Sequence, residues 1–332
     1  MTEQNALAPF IRTLGRGPNL SRALTRAEAA AAMGHILQGQ AAPVQIGALL
    51  MLMRYRGETA EELAGFVDAA RRALAPTGVP PAVDLDWPSY ADKHQQLPWF
   101  VLAALLLAAN GVRIVMHGIA GQGESSVTTR AALAAFGATP CTGSNDLAAH
   151  LSAANFAYVG LETLCPPLAR LFDLRPLLGL RTPANSLARA LNPFAATAQI
   201  QGVFHPPYRA LHLHTALLLA QPNAAIFKGG GGEAQRNPDK PCRVATISAG
   251  TAGEADWPAL PDGAGFRPRE EPAEVARLTG LWRGAFEAPA AIAAVTGTVA
   301  VALKLLGCAA DRESAQAQAE ALWHERDKRR FD

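Results

Sequence analysis

Arginine and histidine residues gather in a part of this chain that contains no acid. No aspartate or glutamate occurs between Asp173 and Glu233. The basic residues and histidines of this interval are Arg175, Arg181, Arg189, Arg209, Lys228, His205, His212 and His214. A guanidinium group offers a planar pair of donors that suits phosphate and carboxylate groups. The interval therefore predicts an anion-binding surface, because local charge matters more for binding than the formal net charge of +2.

A second candidate for phosphate binding is the run of four glycines at 229–232, which lies between Lys228 and Glu233. Successive backbone amides in such a run can form a concave nest that binds phosphate. A loop without a ligand fits the same composition equally well. The sequence leaves both interpretations open.

Metal binding and disulfides are not predicted. The four cysteines, Cys141, Cys165, Cys242 and Cys308, are far apart in the chain, so they do not form a disulfide framework or a paired-thiol metal site. His212 and His214 would share one side only on a strand, and the residues around them are typical of a helix.

The composition, with 49% hydrophobic and 17% charged residues, is typical of a folded globular chain. The longest uncharged apolar run, 97–109, is shorter than the roughly 20 residues that a helix needs to cross a bilayer. No secretory leader is recognisable at the N-terminus. We therefore expect a cytoplasmic protein with no membrane partner.

Helical signals dominate from Thr25 to about Leu74. Thr25 and Glu28, and again Thr59 and Glu62, have the spacing of a capping box, and Pro43 marks the start of another helix. Further along, predicted strands at 112–116, 157–159, 197–203, 224–227 and 244–248 are interspersed with predicted helices at 98–110, 126–137, 270–283, 289–307 and 311–328. Such alternation predicts a mostly parallel sheet.

The predicted architecture is therefore α/β, with a small helical N-terminal domain and a larger α/β domain. Helices flank the mostly parallel central sheet of the larger domain. We place the helical domain at 1–82 and the α/β domain at 83–332, with later helices able to join the first domain.

Two segments carry a family resemblance. Residues 35–74 resemble the helical N-terminal region of anthranilate phosphoribosyltransferases, with its Gln-Ile-Gly-Ala and Arg-x-x-Gly-Glu-Thr-x-x-Glu-Leu-Ala-Gly patterns. Residues 178–193 are similar to the family's Gly-x-Arg-Thr signature segment, and His117-Gly118 matches its Lys-His-Gly segment. The resemblance implies a helical domain that forms homodimers and an α/β domain that binds the substrate.

The family's substrate site is altered in this chain. Its Gly-Thr-Gly-Gly-Asp loop binds a sugar diphosphate through bare backbone amides, whereas 88–98 contains no glycine. Its Lys-His-Gly-Asn-Arg segment becomes Met-His-Gly-Ile-Ala at 116–120, and its metal-binding Asp-Glu pair becomes Gly232-Glu233. Arg175 stands where the family binds the anthranilate carboxylate.

The resemblance thus implies a degenerate substrate site. Its residues are Ser89, His117, Gly118, Arg175 and Glu233. We predict no catalytic residue, no resident metal and no cofactor.

Other segments resemble a divergent, YbiB-type branch of the same superfamily. These are residues 14–26 and the Pro-Ser-Tyr and Lys-His-Gln-Gln-Leu-Pro stretches within 88–98. This resemblance implies a homodimer that binds DNA or RNA without sequence preference. The predicted nucleic-acid contacts are Arg16, Arg22, Lys93, His94, Arg175, Arg181, Arg189 and Lys228.

Two alternatives stay open beside nucleic-acid binding. The first is a phosphoribosyltransferase, a pentosyltransferase that uses phosphoribosyl pyrophosphate and Mg²⁺ with an anthranilate-like acceptor, whose carboxylate Arg175 would orient. The second is a dimer that binds a small ligand or acts as a scaffold. Our main prediction is nucleic-acid binding without transferase activity.

Overall fold

The computed structural model describes residues 5–74, 82–91, 96–121 and 127–331. The α-helices within these ranges are α1 (Ala8–Gly15), α2 (Arg26–Leu37), α3 (Pro43–Arg56), α4 (Ala60–Arg72), α5 (Trp99–Ala109), α6 (Thr129–Ala134), α7 (Ser144–Ala154), α8 (Leu161–Leu164), α9 (Pro166–Arg170), α10 (Arg175–Leu178), α11 (Ala184–Arg189), α12 (Pro207–Leu218), α13 (Val275–Arg283), α14 (Pro289–Leu305) and α15 (Arg312–Glu325).

A single sheet contains the strands of the described ranges. They are β1 (Leu85–Ser89), β2 (Ile114–Gly118), β3 (Pro140–Cys141), β4 (Phe156–Gly160), β5 (Ala198–Val203), β6 (Asn223–Lys228), β7 (Cys242–Ser248) and β8 (Thr251–Trp257). Their spatial order is β3-β4-β2-β1-β5-β6-β7-β8, and only the pairs β6–β7 and β7–β8 are antiparallel. The predicted fold class, a helical domain plus a larger domain with a mostly parallel sheet, is confirmed.

The chain divides into two compact units. The helical unit contains residues 1–76, 161–193 and 214–220, and the α/β unit contains 77–160, 194–213 and 221–332. The helical unit thus combines the N-terminal helices with later ones, α8 to α11.

The helical unit is organised by caps that the sequence predicted. Both capping boxes form, at Thr25 with Glu28 and at Thr59 with Glu62, and Pro43 occupies the first turn of α3. Glu62 is fully buried, and its Oε1 also accepts the Leu24 amide at 2.8 Å. This carboxylate therefore joins the start of α4 to the residues that lead into α2.

Close packing of α2 on α4 depends on Gly65. A Cβ atom at this position would lie 2.2 Å from the Arg26 carbonyl oxygen and 2.9 Å from the Ala29 Cβ. The later helices are held in the same unit by hydrogen bonds, since Arg71 Nε donates to the Leu191 carbonyl at 2.8 Å. The unit therefore has its own packing and its own polar contacts.

In the α/β unit, the two faces of the central strands differ in polarity. The core of this unit includes Leu85 and Trp87 from β1, Ile114 and Met116 from β2, and α5 on the same side. Ten of the eleven residues of α5 are buried, which explains its uninterrupted apolar sequence. Alternate residues of a strand point to opposite faces, so Asp86 and His117 lie on the other face.

Among the described residues, no helix has the length and apolar character needed to span a bilayer.

Candidate functional site

The candidate site lies at the carboxyl ends of the central parallel strands. On one side of β1 lie β2, β4 and β3, which follow it in the chain. The next strands, β5 and β6, lie on the other side of β1, so the strand order reverses at β1. In open α/β sheets, ligands bind outside the carboxyl ends of the strands where the strand order reverses. Here that point is between β1 and β5.

Pairing between β1 and β5 stops early. It includes only Leu85 with Ala198 and Asp86 with Gln199, whereas β1 and β2 stay paired as far as Ser89 and Gly118. The carboxyl halves of β1 and β5 are therefore unpaired with each other. We call this region, from Trp87 to Ala91 on one side and from Ile200 to Val203 on the other, the strand-end crevice, after the place where strand pairing ends; its residues are buried in the described state.

A row of buried polar side chains crosses the sheet beneath the crevice. The Tyr90 hydroxyl lies 2.7 Å from His117 Nδ1, and His117 Nε2 lies 3.1 Å from Asp86 Oδ1. The second contact is close but lies off the direction of a linear hydrogen bond. Gln199 Nε2 donates to Asp86 Oδ2 at 2.7 Å, and Gln201 Nε2 donates to Gln199 Oε1 at 2.5 Å.

Burial makes this polar row exceptional. His117 and Gln201 are fully buried, and Asp86, Tyr90 and Gln199 are at most 2% exposed. Central parallel strands are normally apolar on both faces, since both faces are covered. A buried polar row on such strands needs mutual hydrogen bonding to offset the loss of hydration, and it marks this end of the sheet as the functional candidate.

Tyr90 covers His117. Its ring centroid lies 5.3 Å from the imidazole centroid with the rings close to perpendicular, and the phenol is only 1% exposed. A ligand that reached His117 from the side of Tyr90 would have to displace this ring.

Glu233 fixes the loop that follows β1. Its side chain is 2% exposed, and Oε1 accepts the Ala91 amide at 2.7 Å. Gly202 and Gly229 allow the Glu233 backbone to approach, because a Cβ atom at either position would lie within about 2.2 Å of a Glu233 backbone atom. The Glu233 carboxylate therefore has a structural role in the described state.

The glycine run at 229–232 is not an open phosphate nest. The Gly229 amide donates to the Val203 carbonyl at 3.0 Å and the Gly230 amide to Gln235 at 2.7 Å. The Gly232 and Glu233 amides donate to carbonyls within the run itself, at 3.0 and 3.3 Å. Since these four donors are used internally, the described conformation favours the loop interpretation for this segment.

Two hydroxyl groups lie at the same edge of the sheet. Ser89 Oγ and Thr129 Oγ1 are 2.8 Å apart. Glycine at position 118 allows the β1 backbone to approach, because a Cβ atom there would lie 2.4 Å from the Ser89 carbonyl oxygen. Ser89, His117 and Gly118, which the resemblance assigned to the substrate site, therefore lie together at the ends of β1 and β2. Glu233 joins them through Ala91.

The predicted cations lie in different parts of the molecule. Arg16, Arg22, Arg175, Arg181 and Arg189 belong to the helical unit, whereas Lys228 is exposed at the end of β6 in the α/β unit. Arg16 is exposed and follows α1, and Arg175 and Arg181 are half-buried on either side of Gly179. Lys93 and His94 lie outside the described residues.

One of these predictions, Arg189, needs correction, and a second residue, Arg22, is held in an ion pair. Arg189 is only 9% exposed within α11, so it is removed from the surface where a polyanion would bind. Arg22 is exposed, but its two terminal nitrogens donate to the Glu28 carboxylate at 2.6 and 2.7 Å. Together with the Thr25 amide, this guanidinium lowers the Glu28 pKa to about 2, so Arg22 is committed to the cap of α2.

The described residues around Glu233 do not fit a divalent metal. Within the described ranges, no three histidine, cysteine or acidic side chains cluster as metal ligands would. Glu233, the one acid left of the family's metal-binding pair, is buried and accepts the Ala91 amide. Mg²⁺ prefers carboxylates that keep access to water and to substrate phosphates. We therefore derive no step through a metal.

Sequence reasoning missed Asp86 and Tyr90 as site residues. A usable signal was present, since Asp86, His117, Gln199 and Gln201 are polar residues within strands that are otherwise apolar. Their contact depends on the register that pairs Asp86 with Gln199, and Pro88 with His117.

The family of the chain follows from two matches that agree with this architecture. Residues 8–74 match the helical bundle domain of the glycosyl transferase family, and residues 100–325 match its a/b domain. The chain belongs to the glycosyl transferase family.

Similar proteins include members with the name anthranilate phosphoribosyltransferase. The enzyme of that name from Methylocella silvestris is 29% identical over 333 residues, an alignment that covers 96% of this chain and 91% of the relative. The uncharacterised protein YbiB of Escherichia coli is 29% identical over 205 residues, which span 60% of this chain and 63% of YbiB.

The fold is that of solved family structures. Anthranilate phosphoribosyltransferase from Saccharomyces cerevisiae in complex with PRPP and Mg aligns with a TM-score of 0.78 over 100% of this chain and 98% of the enzyme. The sequence identity is 18%, so this likeness establishes the fold alone.

Proposed function

We propose that the protein is a phosphoribosyltransferase of the anthranilate class, in which the strand-end crevice binds the ribose phosphate of the donor. The crevice carries this proposal, because it lies at the switch point where α/β proteins bind ligands, in a chain of this family. The acceptor amine would attack C1 of the ribose and displace diphosphate. Nucleic-acid binding, the main prediction from sequence, becomes the second candidate.

The side chains at the crevice have defined roles in this proposal. The Ser89 and Thr129 hydroxyls would donate to phosphate oxygens, since their mutual hydrogen bond can be exchanged for bonds to a ligand. The Tyr90 ring would leave its position over His117 when the donor binds. Arg175 belongs to the helical unit, and the family resemblance alone assigns it to the acceptor carboxylate.

Product formation tests this proposal. With phosphoribosyl pyrophosphate, Mg²⁺ and anthranilate, we expect anthranilate fluorescence to decrease in proportion to enzyme, and Arg175→Ala to raise KM for anthranilate by about tenfold or more through loss of a charge-assisted pair. Arg269→Ala, at an exposed arginine of the α/β unit, is the matched control. Absence of turnover in the wild-type protein contradicts the proposal.

The second candidate, binding of DNA or RNA, is favoured by the acid-free interval between Asp173 and Glu233. Cations that contact a phosphate backbone release its counterions, which gives affinity that depends on salt and little on sequence. Arg16, Arg175, Arg181 and Lys228 remain candidates for these contacts, since each is exposed or half-buried.

Fluorescence anisotropy with labelled single-stranded DNA at two salt concentrations tests this candidate. We expect affinity to fall steeply as salt rises, and Arg181→Ala to reduce the salt slope by about 1 if the side chain contacts one phosphate. Arg269→Ala is again the control. Equal slopes for Arg181→Ala and the wild type, or no binding at low salt, would exclude this function for the interval.

We also propose a homodimer formed through α3. Val44 and Tyr55 on this helix are 79% and 91% exposed, and Leu177 is 82% exposed in the same unit. Large exposed apolar side chains that gather in one unit are typical of an interface. Sedimentation equilibrium should show a dimer, and Tyr55→Arg should shift it to monomer. A wild-type monomer at all concentrations would be incompatible with this proposal.

A further inference from the structure

A cavity of about 370 Å³ lies near the amino ends of the parallel strands, whereas the strand-end crevice lies at their carboxyl ends. It is lined by the ends of α5 and α7, by the 137–139 segment before β3, and by Phe156 at the start of β4. The amino ends of parallel strands lie at one edge and the carboxyl ends at the other. The cavity is therefore separate from the site described above.

The walls of this cavity are aromatic and held in place. Phe136, Phe156, Tyr158 and Phe331 line it. The Phe331 ring packs edge-on against Phe136 with centroids 5.3 Å apart, and it packs in the same way against Trp282 at 5.1 Å. Small side chains such as Ala153 complete the wall, which leaves a slot suited to a flat apolar group.

Two nitrogen-bearing side chains give the cavity its charge and polarity. Arg330 and His150 line it, and Arg330 has no carboxylate partner among the described residues. His150 Nδ1 lies 3.3 Å from the Cys141 sulfur. Burial raises the Cys141 pKa to about 11, so the thiol stays protonated and can donate to Nδ1. With Nδ1 as the acceptor, the ring proton of His150 is on Nε2, which is then a donor.

We propose that this cavity binds a small aromatic carboxylate. Ligand sites of 300–1,000 Å³ are mostly apolar with a few polar groups that fix orientation, and this cavity has that composition. The ring would lie against Phe156 and Phe331, and the carboxylate would accept hydrogen bonds from Arg330 and from His150 Nε2. An anion is favoured because Arg330 brings a positive charge that no described acid neutralises.

Titration of the full-length protein with benzoate tests the proposal. Trp282 reports binding by its fluorescence, since its ring contacts Phe331. We expect a Kd of about 0.1–1 mM, in keeping with the affinity of ligands of this size. Benzamide, which lacks the charge, and acetate, which lacks the ring, should each bind at least tenfold more weakly. No benzoate binding at 10 mM, about ten times the weaker limit of that range, would overturn the proposal.

Variants locate the binding. Arg330→Ala should weaken benzoate binding by about tenfold, the effect of losing one charge-assisted pair, and leave benzamide binding unchanged. Arg329→Ala is the matched control, because this exposed neighbour does not line the cavity. Ala153→Leu should abolish binding of both ligands by filling the slot, with circular dichroism to verify folding. If benzoate binds Arg330→Ala as well as it binds the wild type, the proposed site is wrong.

Discussion

Asp86→Ala is expected to lower the free energy of unfolding of the α/β unit by about 3–5 kcal/mol. Asp86 is 1% exposed and faces both His117 and Gln199. Its removal leaves the buried Gln199 amide without its acceptor and the buried His117 ring without a polar neighbour, and each unsatisfied buried group costs about 1–3 kcal/mol. Urea denaturation measures the change.

Tryptophan fluorescence suits this measurement, because all five tryptophans of the chain lie in the α/β unit. The signal therefore reports the unfolding of that unit and not of the helical one. Asp262→Ala, at an exposed position of the same unit, is the control and should change the free energy by less than about 0.5 kcal/mol. A similarly small effect of Asp86→Ala would mean that the polar row does not stabilise the sheet.

Tyr90→Ala is expected to bind phosphoribosyl pyrophosphate about tenfold or more tightly than the wild type. The wild-type ring packs over His117, so binding at this place must displace it. When the binding-competent conformation of a protein is rarely populated, the apparent affinity for its ligand is reduced. The same substitution should destabilise the α/β unit by about 3–5 kcal/mol, because it removes a buried aromatic side chain. Calorimetric titration measures the affinity.

Tyr90→Phe separates the ring from its hydroxyl group. It keeps the cover over His117 and loses only the 2.7 Å hydrogen bond, so its affinity should equal that of the wild type while stability falls by about 1 kcal/mol. Unchanged or weaker affinity in Tyr90→Ala would show that the ring does not restrict access to the crevice.

The sequence predicted the helices of the first unit well, because their ends depend on local chemistry. The capping boxes at Thr25 and Thr59 act within one turn, and Pro43 acts at its own position. The apolar helix that follows Pro98 was also predicted. Its uninterrupted apolar sequence is a local signal, and ten of its eleven residues are buried.

Three strands were missed, namely β1, the two-residue β3 and β8, and for β1 and β8 the reason lies beyond local patterns. β1 contains Pro88, which argues against a central strand, but pairing with β5 ends at Asp86, so the missing amide costs no hydrogen bond to β5. β8 is the outer strand of a hairpin, with exposed residues up to Asp256. Its register is set by the turn at Ala249 and Gly250, which both have positive φ.

The candidate site could be predicted only in part. The family resemblance named Ser89, His117, Gly118, Arg175 and Glu233, and the fold brings all of these except Arg175 to one end of the α/β unit's strands. Glu233 is buried through its hydrogen bond with Ala91, which lies 142 residues away in the sequence. Local sequence patterns therefore could not show that the Glu233 carboxylate is engaged in this way. The arginine interval gave charge but no exposure, which is why Arg189 was wrongly included.

Hydrogen–deuterium exchange of the wild-type protein with and without phosphoribosyl pyrophosphate tests most directly the claim that ribose phosphate binds at the strand-end crevice. We predict altered exchange in peptides that contain 85–91, 198–205 and 229–235, and no change at 242–257 in the β7–β8 hairpin. A donor that leaves exchange at 85–91 and 198–205 unchanged, or alters it only elsewhere, would contradict the account.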